Sequence, residues 1–246
     1  MMEMIEKYYS AVLEILERIK REEKENIERA AGLLKETLKS GGIVHVVGAG
    51  HSAMLGEELF YRAGGLAPVN PILDTDINVS HGAEKSTAME DVKGYAEVLL
   101  RTAGVREGDI VIVVSTSGVN QFPVEAAVFA RELGAKTVGI TSVNYSRTLQ
   151  PRNTYGKRLF EVVDVPIDNK VPRGDAVLEV EGFPMKVAPV STIANCFIAN
   201  SMVALAVQEL VREGVTPPVW LSAHLPEAKE HNSKLFEKYR GRIKLL

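Results

Sequence analysis

Five short apolar runs, separated by helical stretches, constrain this chain more than any other feature of its sequence. Residues 43–47, 67–73, 109–114, 136–140 and 159–165 are rich in apolar side chains with few interruptions. Strands of a parallel sheet covered on both faces read this way, because neither face meets water. Between several of these runs, at 53–62, 89–102 and 123–133, the sequence has helical character. The alternation predicts an α/β fold, a doubly wound five-stranded parallel sheet flanked by helices, with right-handed crossovers.

Both ends add to this frame. Ile5, Tyr8, Val12, Ile15, Leu16 and Ile19 recur at helical steps, and the pattern resumes at Ile27, Ala30, Ala31, Leu34 and Leu38. The intervening stretch 20–26 is too polar to face a core, so it is either a solvated turn of one long helix or the elbow between two. The first helix is read as an oligomer contact or as packing on its own sheet. After the fifth run, 176–180 and 185–187 alternate around Gly182 and predict a hairpin or flap, and 191–211 is the longest apolar helical stretch. The tail carries Trp220, His224, His231 and Tyr239; the two histidines are surface residues or loans to a neighbouring subunit. The expected organisation is a helical segment over 1–40, the site-bearing domain over 41–215 and a C-terminal tail over 216–246.

Composition narrows the function classes. With 29 Lys and Arg against 32 Asp and Glu, the net charge is −3. A basic face for nucleic acid is therefore not expected. A single cysteine, Cys196, excludes a disulfide framework and a multi-cysteine zinc site. The N-terminus lacks a basic-then-apolar leader and no unbroken apolar run reaches membrane length. A cytoplasmic protein with no membrane partner is expected.

In an open parallel sheet, ligands bind beyond the carboxyl ends of the strands, where strand order reverses. The first run is followed by Gly48-Ala49-Gly50-His51-Ser52-Ala53 and the third by Ser115-Thr116-Ser117-Gly118-Val119-Asn120. The second loop has three hydroxyls, a glycine and an asparagine ahead of a helix opening near Pro123. Free amides, hydroxyls and the positive end of a helix dipole together suit a phosphate. Helix capping alone needs fewer such groups. The first loop also approaches a dinucleotide fingerprint, with Asp74 as the ribose acid. Asp74 lies 26 residues past Gly48, beyond the usual spacing of about 20, and a dinucleotide fold needs no second hydroxyl-rich loop. Two such loops describe one pocket for a small phosphorylated ligand.

These loops, with Gly139-Ile140-Thr141-Ser142, resemble the sugar isomerase (SIS) domain family over residues 40–210, nearest to stand-alone members similar to phosphoheptose isomerase. The resemblance implies a five-stranded parallel sheet, a homodimer or homotetramer, and a phosphorylated-sugar site built partly by a neighbouring subunit. It carries ligand-gripping roles to Ser52, Ser115, Ser117 and, more loosely, Thr116. The expected contact set is Gly50, His51, Ser52, Ser115, Thr116, Ser117 and Asn120.

The reaction is less determined. Aldose–ketose interconversion needs a base that moves a proton between adjacent carbons. Titratable candidates cluster at His81, Glu84 and Lys85, with His81 and Glu84 the preferred catalytic pair; Glu57 and Glu58 are further candidates, and His45, inside a strand, reads as core. In phosphoheptose isomerases a histidine and a glutamate four residues later help bind zinc. The matching positions here are Glu58 and Arg62, and 191–211 contains no histidine, so neither metal nor cofactor is expected. A related hexulose-phosphate isomerase places its base just after a stretch matched by Pro189-Val190-Ser191-Thr192, but Asn195 stands there instead. Gly82-Ala83-Glu84-Lys85, Glu90-Asp91 and Gly108-Asp109 resemble the N-acetylmuramic acid 6-phosphate etherase branch, which carries acid–base roles to Glu84 and Glu90. The expected function is thus a sugar-phosphate isomerase, with a lyase or etherase, a non-catalytic sugar-phosphate sensor, or a nucleotide-cofactor enzyme as alternatives.

Overall fold

The computed structural model describes residues 2–246. Two helices, α1 (Met2–Glu22) and α2 (Lys24–Lys39), precede β1 (Val44–Gly48). A 3-10 turn (Gly50–Ala53) and α3 (Met54–Leu59) lead to the short β2 (Val69–Pro71). Then follow α4 (Ala83–Met89), α5 (Tyr95–Thr102), β3 (Ile110–Val114), α6 (Gln121–Glu132), β4 (Lys136–Thr141), α7 (Val143–Arg147), α8 (Leu159–Val162) and β5 (Val165–Asp168). A hairpin of β6 (Ala176–Val180) and β7 (Phe183–Pro189), the long α9 (Ser191–Arg212) and α10 (Ala228–Tyr239) complete the chain. The five-stranded sheet is parallel throughout, in the order β2-β1-β3-β4-β5.

Period-two alternation divides the core. Val44, Val46, Ile110, Ile112 and Val114 face one side, with Leu34 of α2 and Ile198 and Met202 of α9. Val47, Val111 and Val113 face the other, with Leu100 of α5 and Phe122 and Ala126 of α6. This two-sided cover is why the strands read as apolar runs. By length and composition alone α9 is apolar enough to cross a membrane; here Ala194, Ile198, Met202 and Ala206 belong to the sheet's core.

The structure corrects one expectation and decides between the alternatives of another. The fifth strand is not at 159–165. It begins at Val165, and 159–162 form α8, whose buried Leu159 and Val162 stand one turn apart. At the start of that turn the Glu161 carboxylate accepts from the Arg158 amide at 2.6 Å. Of the two readings of the polar stretch 20–26, the structure shows the elbow between two helices, largely exposed except for Glu23 at the break, which is only 6% exposed. Its carboxylate accepts from Lys170 Nζ at 2.6 Å and from the Asp168 amide at 3.2 Å. Lys170 also contacts Asp168 and Glu22, so a buried charge is answered by opposite charges, the condition under which burial is tolerated.

A second buried polar cluster closes the opposite end of the sheet. His45 is fully buried in β1, its Nε2 3.2 Å from Asp109 Oδ2, and Asn70 Nδ2 lies 3.0 Å from its Nδ1. Asp109 also accepts from the Ile43 and Arg106 amides and from Arg242 of the C-terminal segment. Burial alone raises the Asp109 pKa, but the His45 hydrogen bond, the Ile43 amide and the Arg242 charge hold it below the ordinary aspartate range. The tail is fixed further by Trp220, Tyr239 and Ile243 packing on Ile43 and Ala67. Asp109→Asn should lower stability by about 2–3 kcal/mol at neutral pH in urea unfolding. Because the folded pKa is depressed, the stabilisation is present above the unfolded value of about 4 and disappears as pH falls through the folded pKa. The gap between wild type and variant should therefore narrow only in acid.

Candidate functional site

Strand order reverses between β1 and β3: β1 leads to β2 on one side, while β3 and β4 continue on the other. A cleft of about 320 Å³ opens beyond the carboxyl ends of these strands, where such folds hold ligands. Ser52 lines it from the turn after β1; Ser115, Thr116, Ser117 and Asn120 line it from the loop after β3. Both hydroxyl-bearing loops therefore share one cavity.

Local packing sets their shape. The turn after β1 folds back so tightly that a Cβ on Gly48 would lie 2.7 Å from the Ser52 carbonyl carbon. In the second loop the Gly118 amide donates to Ser115 Oγ at 3.1 Å. The Thr116, Gly118 and Val119 carbonyls accept from the Ser142, Leu159 and Arg152 amides respectively. Asn120 occupies the N-cap position of α6 without capping it; its amide instead donates to Glu90 Oε2 at 2.6 Å.

Glu90 follows α4 directly and lines the cleft. Burial pushes its carboxyl above the ordinary glutamate range, with the Asn120 hydrogen bond opposing and neighbouring Asp91 adding to the rise. Asp175 enters from the far wall. It adopts φ +67, an uncommon conformation that aspartate tolerates better than most residues. Its Oδ1 accepts from the Val190 and Ser191 amides and its Oδ2 from Ser191 Oγ, so it ties the cleft wall to the start of α9. Tyr145 of α7 completes this side. The lining contains two carboxylates and no Lys, Arg or His.

Several expected residues lie elsewhere. Gly50 and His51 belong to the turn after β1 but do not line the cleft, and His51 is exposed. His81 and Glu84 are exposed on the segment entering α4, also outside the lining. Glu58 pairs with Arg62 and accepts from Asn200 of α9. Among the described residues no three His, Cys, Asp or Glu side chains gather as a metal-binding set. Tyr145 and Asp175 were not singled out from sequence; neither sits in a motif, and only the folded chain brings them to the loops.

Residues 7–142, from α1 through both hydroxyl-bearing loops, match the SIS domain family. The chain belongs to that family. A UPF0309 protein of Listeria innocua is 40% identical over 243 residues, covering 99% of this chain and 98% of its own. A phosphoheptose isomerase from Francisella tularensis shares the fold with a TM-score of 0.57 at 17% identity, over 84% of this chain and 98% of that one. The Vibrio vulnificus NanR protein complexed with ManNAc-6P gives 0.52 at 14% identity, over 97% of this chain and 69% of that one. At these identities the structural likeness is one of fold.

The turn in this SIS domain's second loop depends on Gly118. Its φ is +61, and a Cβ there would sit 2.6 Å from Thr141 Oγ1. Gly118→Ala should cost about 1–2 kcal/mol from backbone conformation alone, before the clash is counted. A lowered melting temperature checks this.

Proposed function

We propose that this SIS domain binds a phosphorylated sugar in the cleft between β1 and β3 and interconverts its aldose and ketose forms. The phosphate is held by the hydroxyls of Ser52, Ser115, Thr116 and Ser117 at the N-terminal end of α6, whose dipole favours an anion. The observation that carries this reading is the convergence of the two hydroxyl-bearing loops on a single cavity at the strand-order reversal. The phosphosugar named with NanR and the isomerase activity named for the Francisella protein agree with it.

Glu90 takes the acid–base role at the sugar end. It removes the proton from the carbon next to the carbonyl and returns it to the former carbonyl carbon, while the hydroxyl proton passes to the carbonyl oxygen through the enediol. A carboxyl raised by burial is a stronger base once ionised, and it holds a proton available for return to higher pH than an ordinary glutamate does. The other carboxylate in the lining, Asp175, has both oxygens engaged at the start of α9. One available acid–base group suits a proton shuttle between adjacent carbons better than an elimination that divides the work between two carboxylates. His81 and Glu84 lie outside the lining, so the role assigned to them from sequence passes to Glu90. The exposed stripe Ile5, Tyr9 and Leu13 on α1 is the proposed contact with a second copy of the chain.

Three measurements test this. Ser117→Ala should weaken binding of a cognate sugar phosphate by about 1–3 kcal/mol, read by calorimetry. Glu90→Gln should abolish turnover while binding persists; unchanged turnover removes Glu90 from the chemistry. Wild-type turnover should rise with pH as Glu90 ionises, through a pKa above the ordinary glutamate value. Consumption of none of a panel of hexose and heptose phosphates that bind would favour a sensor.

A further inference from the structure

A second depression of about 440 Å³ runs beside the first, beyond the carboxyl ends of β4 and β5. Ser142 and Tyr145 reach it from the end of β4, and Lys170 and Arg173 from the loop after β5. Its far wall is α1, through Glu14 and Arg18. Tyr145 lines both depressions, and the bend at 173–176 divides between them: Gly174 and Asp175 face the first, Arg173 and Ala176 the second.

That bend is anchored on both sides of Arg173. At one end Lys170, itself at φ +57, is bonded to Glu23 and Asp168. At the other, Asp175 is fixed by three hydrogen bonds at the start of α9. The backbone carrying Arg173 is therefore preorganised, so ligand binding there does not have to order the segment.

The cations around the second depression are not equivalent. Lys170 is answered by Glu22, Glu23 and Asp168, Lys186 lies 3.3 Å from Glu179, and Arg18 lies 4.0 Å from Glu22. Among the described residues Arg173 has no carboxylate, carbonyl or ring partner. The first cleft has no cationic side chain in its lining. A ligand with a second negative group finds an uncommitted cation across the bend.

We propose that Arg173 forms a second anion subsite adjoining the phosphate cleft, and that the ligand is a phosphosugar carrying a further acidic group, a carboxylate or a second phosphate. This rests on the phosphosugar reading of the first cleft. The guanidinium presents paired donors to either group, and Tyr145 lies between the two anion positions.

Calorimetric titration of wild type, Ser117→Ala and Arg173→Gln tests it with two matched pairs: fructose 6-phosphate with fructose 1,6-bisphosphate, and glucose 6-phosphate with 6-phosphogluconate. In at least one pair the doubly acidic member should bind wild type about tenfold more tightly. Arg173→Gln should reduce that ratio to below about twofold without changing monophosphate affinity, while Ser117→Ala weakens both members. A wild-type ratio near one in both pairs, or a ratio that survives Arg173→Gln, overturns the subsite. Monophosphate binding that depends on Ser117 but shows no such ratio leaves the first cleft's reading standing. Binding of no sugar phosphate by any of the three proteins removes both.

Discussion

The reversal of strand order between β1 and β3 is the constraint on which the rest depends. Once β1 and β3 are parallel neighbours whose connections run to opposite sides, the loops leaving their carboxyl ends part and a crevice opens. Polar groups that those two loops turn inward then face one space. Here they are hydroxyls and an asparagine, and the first turn of α6 ends at the same place.

Two buried polar clusters hold the frame around that crevice. On the carboxyl side of the sheet, the Glu23–Lys170–Asp168 group joins the elbow between α1 and α2 to the loop after β5, the same loop that delivers Gly174 and Asp175 to the cleft. On the amino side, Asp109 gathers β1, the approach to β3 and the C-terminal segment around His45. Each joins segments far apart in sequence, and breaking one leaves an uncompensated buried charge. Burial also acts on the proposed chemistry, because desolvation holds the Glu90 carboxyl above the ordinary glutamate range.

The sheet was legible because both its faces are covered, which leaves apolar runs that no loop imitates. The fifth strand was misplaced for a related reason: Leu159 and Val162, one turn apart and both buried, read as part of a run, while the strand itself is only four residues long. The burial of Glu23 had no local signal, since its partner Lys170 lies 147 residues away. In the site, the contributions of contiguous loops were visible as clustered serines, threonine and asparagine. Glu90 was named with Glu84 through the etherase resemblance, but only the fold separates the two, because the place of Glu90 in the lining depends on where Asn120 meets it. Tyr145 and Asp175 follow β4 and β5 and reach the cleft only through the curvature of the chain beyond the sheet.

A crystal structure of the protein grown with fructose 6-phosphate examines the central idea most directly. The account predicts phosphate density within hydrogen-bonding distance of Ser52 and of the 115–117 hydroxyls together, with the sugar carbons directed toward Glu90. Phosphate bound elsewhere, or density touching one loop while the other turns away, would contradict it.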